Sequence, residues 1–240
     1  MSQSFFIWKD MDCRAMGVWL SGPLPIVRPE ERVRHIQIPG MEGDLTQLEG
    51  ENIFNSYIQT ATIMVKNGYR VREIYNWLKG SGFVTFSGEP DRKQPARIIG
   101  AITLNKHSNN LDWWTGEVQF YCQPLKERLR EETERFTSGT DIINRGDVGA
   151  RPIITVNGTG AGQDLQFSIN GQSFRVNLTG MADTGCVIDC QAQIVTNYAK
   201  TVDLTGLSEG NFPVLVPGTN AITFTNGITN VDILKRERFL

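Results

Sequence analysis

The chain has 240 residues, of which 40% are hydrophobic and 21% charged, a composition typical of globular proteins. We expect one large domain or two small ones, able to bury a core without disulfides. The net charge of -2 argues against sequence-specific nucleic-acid binding, which normally requires a basic excess. With no apolar run of transmembrane length and no basic start of a secretory signal, we expect neither membrane insertion nor secretion.

The cysteine spacing predicts reduced thiols. Cys186 and Cys190 look like a pair, but they lie in a predicted strand, where four residues separate the Cα atoms by roughly 13 Å. A disulfide spans only about half that distance. Reduced thiols fit a reducing cytoplasm. Since no second Cys or His pair has ligand spacing, we expect no metal site.

Short apolar clusters between Gly and Pro residues predict strands in the first fifty residues, at 5–8, 18–20 and 22–27. Residues 28–51 are polar and rich in Gly and charge, which is compatible with either an extended arm or a long hairpin. Alternation over 57–65 then predicts a strand with Gln59, Ala61 and Ile63 on one face and Ile58 on the other.

One segment has the hydrophobic periodicity of a helix and not that of a strand. Val71, Ile74, Tyr75 and Leu78 follow helical spacing and predict one helix with a buried stripe, and Gly80 stands where a C-terminal cap belongs. Strands are predicted again at 83–86, 97–104 and 113–122, the last with Trp114, Val118, Phe120 and Cys122 on one face. The first block is therefore interpreted as an antiparallel sheet or barrel with a single helix packed against it.

The charge-alternating stretch 126–135 is interpreted as a solvated helix or a linker. The Gly-rich, weakly apolar stretch after it predicts a domain boundary. The predicted domains are 1–138 and 152–240, joined by a linker over 139–151.

The second half consists of short strands with frequent turn signals. Alternating runs flank Asn170-Gly171, and two further Asn-Gly pairs occur at Asn157 and Asn226. Asn-Gly between two such runs is a strong hairpin signal. The remaining strands are predicted at 153–156, 187–195, 214–216, 221–224 and 231–234. About seven to nine strands in this length indicate a β-sandwich or jelly roll.

The sequence contains no motif that indicates catalysis or phosphate binding. The glycines of 158–162 precede a hairpin, whereas a phosphate-binding loop needs a helix next. His35 and His107 lie among polar residues, and no nucleophile elbow accompanies them. Asp183 and Asp189 are explained by a turn and by the polar face of a strand. The sequence therefore predicts no catalytic, cofactor-binding or metal-ligating residue and singles out no binding residue, so we expect no enzyme and no cofactor.

An ordered set of motifs resembles a known family. The first half carries Phe6-Ile-Trp, then Arg72-Glu-Ile-Tyr-Asn-Trp-Leu78, then Gly82-Phe-Val-Thr-Phe86 leading into Glu89-Pro-Asp-Arg92. The second half carries 151–160 (RPIITVNGTG), 187–190 (VIDC), 211–220 (NFPVLVPGTN) and 231–236 (VDILKR). Together these resemble the distal tail proteins of siphophages, and the resemblance covers most of the chain except residues 28–51.

The resemblance implies a split β-barrel with one helix, followed by a galectin-like β-sandwich. It implies a structural protein of the bacteriophage tail, assembled in the host cytoplasm, that forms a homo-hexameric ring with a central channel for DNA. The implied partners are the tail tube protein and the tip protein (a fibre or lysin), with the tape-measure and receptor-binding proteins as further partners. Residues 28–51 are long enough to reach a neighbouring subunit, so we expect rings to be lost when 30–50 are deleted.

Two other functions stay open. A carbohydrate-binding module predicts aromatic side chains exposed on one face of the sandwich, yet no Trp follows residue 151, and Phe167 and Phe174 occupy core positions of predicted strands. A tail-associated hydrolase requires a catalytic constellation, for which the sequence offers no candidate.

Overall fold

In a computed structural model, the structure describes residues 4–50, 52–66, 70–108, 111–225 and 227–240. The turn predicted at Asn226 lies partly outside them. The backbone forms two compact units. The first runs to Leu129 and includes Leu240, and the second runs from Arg130 to Phe239. Their behaviour as separate domains stays a prediction.

The described residues of the first unit form one large antiparallel sheet, one helix and a separate two-stranded ribbon. The elements are β1 (Phe6–Trp8), β2 (Met11–Asp12), β3 (Val18–Leu20), β4 (Val33–Gln37), β5 (Asp44–Leu48), β6 (Tyr57–Lys66), α1 (Val71–Trp77), β7 (Ser81–Phe86), β8 (Arg92–Ile99), β9 (Leu104–Ser108), β10 (Leu111–Cys122) and β11 (Lys126–Arg128). The sheet order is β2-β1-β7-β8-β10-β6-β3, with β9 paired to β10 and β11 to β8. The ribbon is β4 paired with β5.

Period-2 alternation gives the sheet one buried face. Along β6 the odd-numbered residues 59–65 are buried, while the even-numbered residues 58–62 are exposed. On the buried face, aromatic rings meet edge to face, with the centroids of Phe6 and Phe120 5.2 Å apart. Helix α1 contributes Ile74 and Leu78 to this core. The predicted barrel-like sheet with one helix is confirmed.

Helix α1 buries a narrower stripe than the sequence suggested. Ile74 is fully buried, but Tyr75 is 39% exposed, so its predicted place in the stripe is wrong. Trp77 takes that place because it stacks on Phe6 at 5.7 Å. The indole N–H groups of Trp8 and Trp77 each donate to the other residue's carbonyl at 3.1 Å. Two motifs distant in sequence are thereby joined.

The second unit is a sandwich of two antiparallel sheets. Its strands are β12 (Glu134–Phe136), β13 (Thr140–Asn144), β14 (Ile153–Gly158), β15 (Asp164–Ile169), β16 (Gln172–Asn177), β17 (Gly185–Asp189), β18 (Ile194–Thr196), β19 (Ser208–Gly210), β20 (Gly218–Phe224), β21 (Ile228–Leu234) and β22 (Arg238–Phe239). The sheets have the orders β12-β21-β14-β17-β18 and β13-β20-β15-β16-β19. The buried side chains of both sheets form one core. The predicted β-sandwich is confirmed.

Several local predictions were wrong. No strand forms at 22–27 or 214–216. The strand expected at 97–104 instead spans Arg92–Ile99 and ends before Gly100, whose φ is +71°. The stretch 126–135, interpreted as a solvated helix or a linker, contains no helix but strand β11 and the start of β12, and the division between the two units falls within it. The segment 139–151, interpreted as a linker, contains strand β13.

In the second unit, one predicted turn is wrong and one turn was not predicted. Asn157-Gly158 does not turn but lies inside β14. The strand expected over 187–195 is two strands, β17 and β18, which form an antiparallel pair. All four cysteines are free and buried, as expected.

Candidate interaction surface

The conspicuous surface of the first unit is a hairpin that stands off its core. We call residues 33–48, comprising β4, β5 and the connecting turn, the arm. Val33 lies opposite Leu48, and Ile36 lies opposite Leu45. Two pairs lie between them, Arg34 with Gln47 and His35 with Thr46. This answers the choice left open by the sequence, since the segment is a hairpin.

The arm exposes apolar side chains on both of its faces. Facing residues share a side of a ribbon and successive pairs alternate, so the Val33–Leu48 pair and the Ile36–Leu45 pair point to opposite sides. Every residue of β5 is exposed, including Leu48 at 57%. An isolated two-stranded hairpin is marginally stable in water. The arm therefore has the properties of a segment that is stabilised by contact with another molecule.

At the base of the arm, backbone hydrogen bonds join the segment that leads into it to the segment that leads out of it. Arg32 donates to the carbonyl of Ile53 at 2.8 Å, and Asn55 donates to that of Glu30 at 2.8 Å. Phe54, next to this pairing, is buried. The arm thus has a fixed root and a free far end.

The turn Glu89-Pro-Asp-Arg92, one of the motifs that carry the family resemblance, forms a largely buried ionic cluster, which we call the ionic anchor. Glu89 accepts from Lys126 Nζ at 2.5 Å and from Arg92 at 2.7 Å. The Lys126 side chain is only 5% exposed. Nearby, the hydroxyl of Tyr57 donates to Gln94 at 3.0 Å, and burial raises the pKa of Tyr57 to about 12. The Glu89 contacts connect the β7–β8 turn to β11, and the Tyr57 contact connects β6 to β8, so the motif has a structural role.

The motifs of the second half are also structural. Asp189, from the 187–190 motif, forms a two-point ion pair with Arg236, from the 231–236 motif, at 2.8 and 3.1 Å. Asp183 accepts the backbone N–H of Gly162 through its carbonyl at 3.1 Å, which closes the glycine loop. A strand follows this loop, as predicted, and not the helix of a phosphate site.

The described residues offer no cluster of side chains suited to a metal ion. Within them, no three His, Cys, Asp or Glu side chains gather at metal-binding distance. His35 lies on the exposed arm, with Nδ1 3.4 Å from the hydroxyl of Thr46. The side chain of His107 is outside the described part of the chain. None of the helices described is long and apolar enough to cross a membrane.

The sandwich does not present the aromatic platform that a carbohydrate-binding module would use. Phe167 and Phe174 are core residues, as predicted. Tyr198 is exposed, but its hydroxyl donates to the carbonyl of Val156 and to Asn157 Oδ1, both at 3.0 Å. Its position is fixed by the strand it covers.

Comparison with known proteins places this fold. No protein-family model matches the chain, and no curated protein matches it. The crystal structure of the Dit protein of phage SPP1, described as a paradigm of the hub adsorption apparatus in phages infecting Gram-positive hosts, aligns over 100% of both chains with a TM-score of 0.76 and 18% identity. The chain has the fold of SPP1 Dit.

A second solved structure agrees. A chain of the phage P2 baseplate, in its activated conformation with calcium, aligns over 99% of both chains with a TM-score of 0.51 and 7% identity. Both similarities run through the two units, so the order of barrel-like sheet and sandwich is common to all three chains. The resemblance to siphophage distal tail proteins, drawn from motifs, is confirmed at the level of the fold.

Proposed function

We propose that the chain is a structural protein of a bacteriophage tail that forms a homo-hexameric ring at the distal end of the tail tube. The observation that carries this proposal is the full-length agreement of fold with SPP1 Dit. Fold alone does not determine function. The arm supplies independent support, because it belongs to a surface that needs a partner.

A ring follows from a contact between two different surfaces. When a patch on one copy binds a different patch on the next, the contact repeats by rotation until it closes into a ring or grows as a filament. The arm is a protrusion with apolar residues on both sides, which is unsuited to facing an identical arm across a two-fold axis. It suits insertion against a neighbour.

The proposed partners follow from a position at the tail tip. The tail tube protein would contact one side of the ring, and the tip protein (a fibre or lysin) the other. The tape-measure and receptor-binding proteins are further partners. A net charge of -2 per chain is compatible with a channel that lets DNA pass without binding it. The role is mechanical and requires no catalytic group.

The test is the mass in solution, measured by light scattering over a range of concentrations at moderate salt. Six chains of 26.9 kDa give about 161 kDa. The matched variant replaces residues 34–47 by Asn-Gly, so that Val33 and Leu48, which already face each other, are joined by a two-residue hairpin turn. We expect rings from the wild-type chain and monomers from this variant.

Two results would contradict the proposal. The proposed ring would be refuted if the wild-type chain is monomeric at every concentration and forms no rings when purified tail tube protein is added. If the shortened-arm variant still forms rings with the same number of subunits, the arm is not part of the interface. Near-ultraviolet circular dichroism of both chains controls for folding.

A further inference from the structure

The outer face of the first-unit sheet carries an apolar strip that crosses four adjacent strands. We call Ile58, Phe83, Pro95 and Tyr121 the outer strip. Ile58 of β6 lies directly opposite Tyr121 of β10. Pro95 of β8 lies opposite Phe83 of β7. Arg97 of β8 connects the two pairs. It lies directly opposite Tyr121 of β10, and it is two residues from Pro95 on the same face of β8.

Three of these side chains are exposed, and Pro95 is half-buried, where a solvated sheet face normally carries polar residues. Ile58 is 53% exposed, Tyr121 40% and Phe83 40%. The positions farther along β6 on the same face are Thr60 and Thr62, which follow the usual polar pattern. The apolar character is therefore confined to one end of the face, as expected of a local contact site.

The strip and the far end of the arm carry opposite charges. Arg97 is exposed within the strip, and Lys93 lies with its Nζ 4.8 Å from the ring centre of Phe83. At the far end of the arm, Glu42 and Asp44 are exposed. Apolar side chains accompany them: Ile38, Met41 and Leu45 are all exposed. Because Lys93 also pairs with Glu127 at 3.8 Å, the positive charge of the strip is carried mainly by Arg97. Each surface thus offers apolar area together with a charge opposite to that of the other.

We propose that the outer strip is the docking site for the arm of a second copy of this chain. The inference rests on the proposed ring and names the surface that receives the arm. The arm and the strip are different surfaces of one chain, so their contact is head-to-tail and can close a ring. Leu45 and its neighbours cover Tyr121 and Phe83, while Glu42 and Asp44 approach Arg97 and Lys93. Such rim charges contribute mainly to orientation and to the rate of association.

Cross-linking between separately purified chains tests this contact even when rings are short-lived. Because the four native cysteines are buried, a short bis-maleimide reacts mainly with an added thiol. One chain carries Gln47→Cys in the arm, and a tagged chain carries Ser81→Cys at the edge of the strip. The control chain carries Thr62→Cys, which is exposed on the same face but about 13 Å along β6 from Ile58.

We expect the mixture of Gln47→Cys and Ser81→Cys chains to yield several-fold more tagged heterodimer than the mixture with the Thr62→Cys chain. Equal yields, or a higher yield from the control, would overturn the inference. Light scattering adds a second readout, in which Ile58→Asp should lower the population of rings and Thr62→Asp should not.

The two proposals fail differently. If Ile58→Asp forms rings as readily as the wild type while the shortened-arm variant is monomeric, the arm docks elsewhere and only the strip is refuted. If the wild-type chain forms no rings even with tube protein, the proposed function itself fails. Ile58 is more than half exposed, so its replacement leaves the core intact, and circular dichroism confirms this for each variant.

Discussion

At the scale of single residues, the ionic anchor of Glu89 predicts a large loss of stability on a small change. Glu89→Gln removes the carboxylate that pairs with the buried ammonium of Lys126, which then keeps its hydrogen bond to Leu240 at 3.2 Å. Removing one partner of a buried ion pair is strongly destabilising, and we expect the free energy of unfolding to fall by about 2–4 kcal/mol. Urea denaturation followed by tryptophan fluorescence measures this change.

The matched control is the exposed pair between Lys93 and Glu127, whose charged atoms are 3.8 Å apart. Glu127→Gln should cost less than about 1 kcal/mol, because water screens surface pairs. Equal losses for the two variants would mean that Glu89 does not act through the buried charge of Lys126.

The buried thiols predict a stability that declines in alkali. Burial raises the pKa of Cys122, Cys186 and Cys190 from 9.0 to about 12. Between these values the unfolded chain loses thiol protons that the folded chain keeps. The unfolded state then binds fewer protons, so the free energy of unfolding falls as pH rises from about 9 to about 12. Below pH 9 these groups contribute no pH dependence.

Urea titrations at a series of pH values test this expectation, with Cys122→Ala as the informative variant. Its stability at pH 8 is lower because a buried side chain is removed, but its decline above pH 9 should be shallower than that of the wild type. A parallel decline would show that Cys122 is not responsible, and the slope would then come from the remaining buried thiols, Cys186 and Cys190, and from the half-buried Tyr57 hydroxyl.

At the scale of elements, the hairpin at Asn170-Gly171 requires an unusual backbone conformation, and the side chain of Asn170 supports it by donating to Asn220 and accepting from the backbone N–H of Ala221. Both residues have positive φ, +52° and +78°, which the hairpin turn requires. A Cβ at Gly171 would meet nothing within 4 Å, so Gly171→Ala changes only the conformational preference. We expect it to destabilise the chain by about 1–2 kcal/mol.

Gly206→Ala is the control, since a Cβ at 206 also meets nothing and no positive φ is involved. It should be close to neutral. Thermal unfolding of the two variants side by side measures the difference, and equal midpoints would refute the conformational explanation.

The Asn-Gly dipeptide, which occurs in both places, shows the limit of prediction from local sequence. Asn170-Gly171 was correctly predicted because alternating runs flank it on both sides. Asn157-Gly158 was misread as a turn because its glycine serves a different purpose: a Cβ there would collide with the carbonyl of Thr184. A close approach between distant backbones leaves no local signature. Strands could be predicted from the local alternation of apolar and polar residues. The ion pair of Asp189 with Arg236 and the outer strip across four strands could not, because they depend on which strands the topology places side by side.

At the scale of the whole molecule, each unit has its own core. The core of the second unit is built from both of its sheets and includes Ile154, Phe167 and Ile233. The core of the first unit is centred on Phe6, Trp8 and Phe120. We expect a unit with a complete core of its own to fold alone. The arm and the outer strip both belong to the first unit, so assembly and the sandwich are separable in principle.

This separation predicts the behaviour of a fragment of residues 130–239. We expect it to unfold cooperatively in urea and to remain monomeric at concentrations where the whole chain forms rings, because it lacks both surfaces of the proposed contact. Light scattering and near-ultraviolet circular dichroism measure the two properties. A folded fragment that assembles by itself would move the ring interface to the sandwich, and an unfolded one would show that the second unit depends on the first. A folded monomer would leave the sandwich free to carry other components of the tail tip.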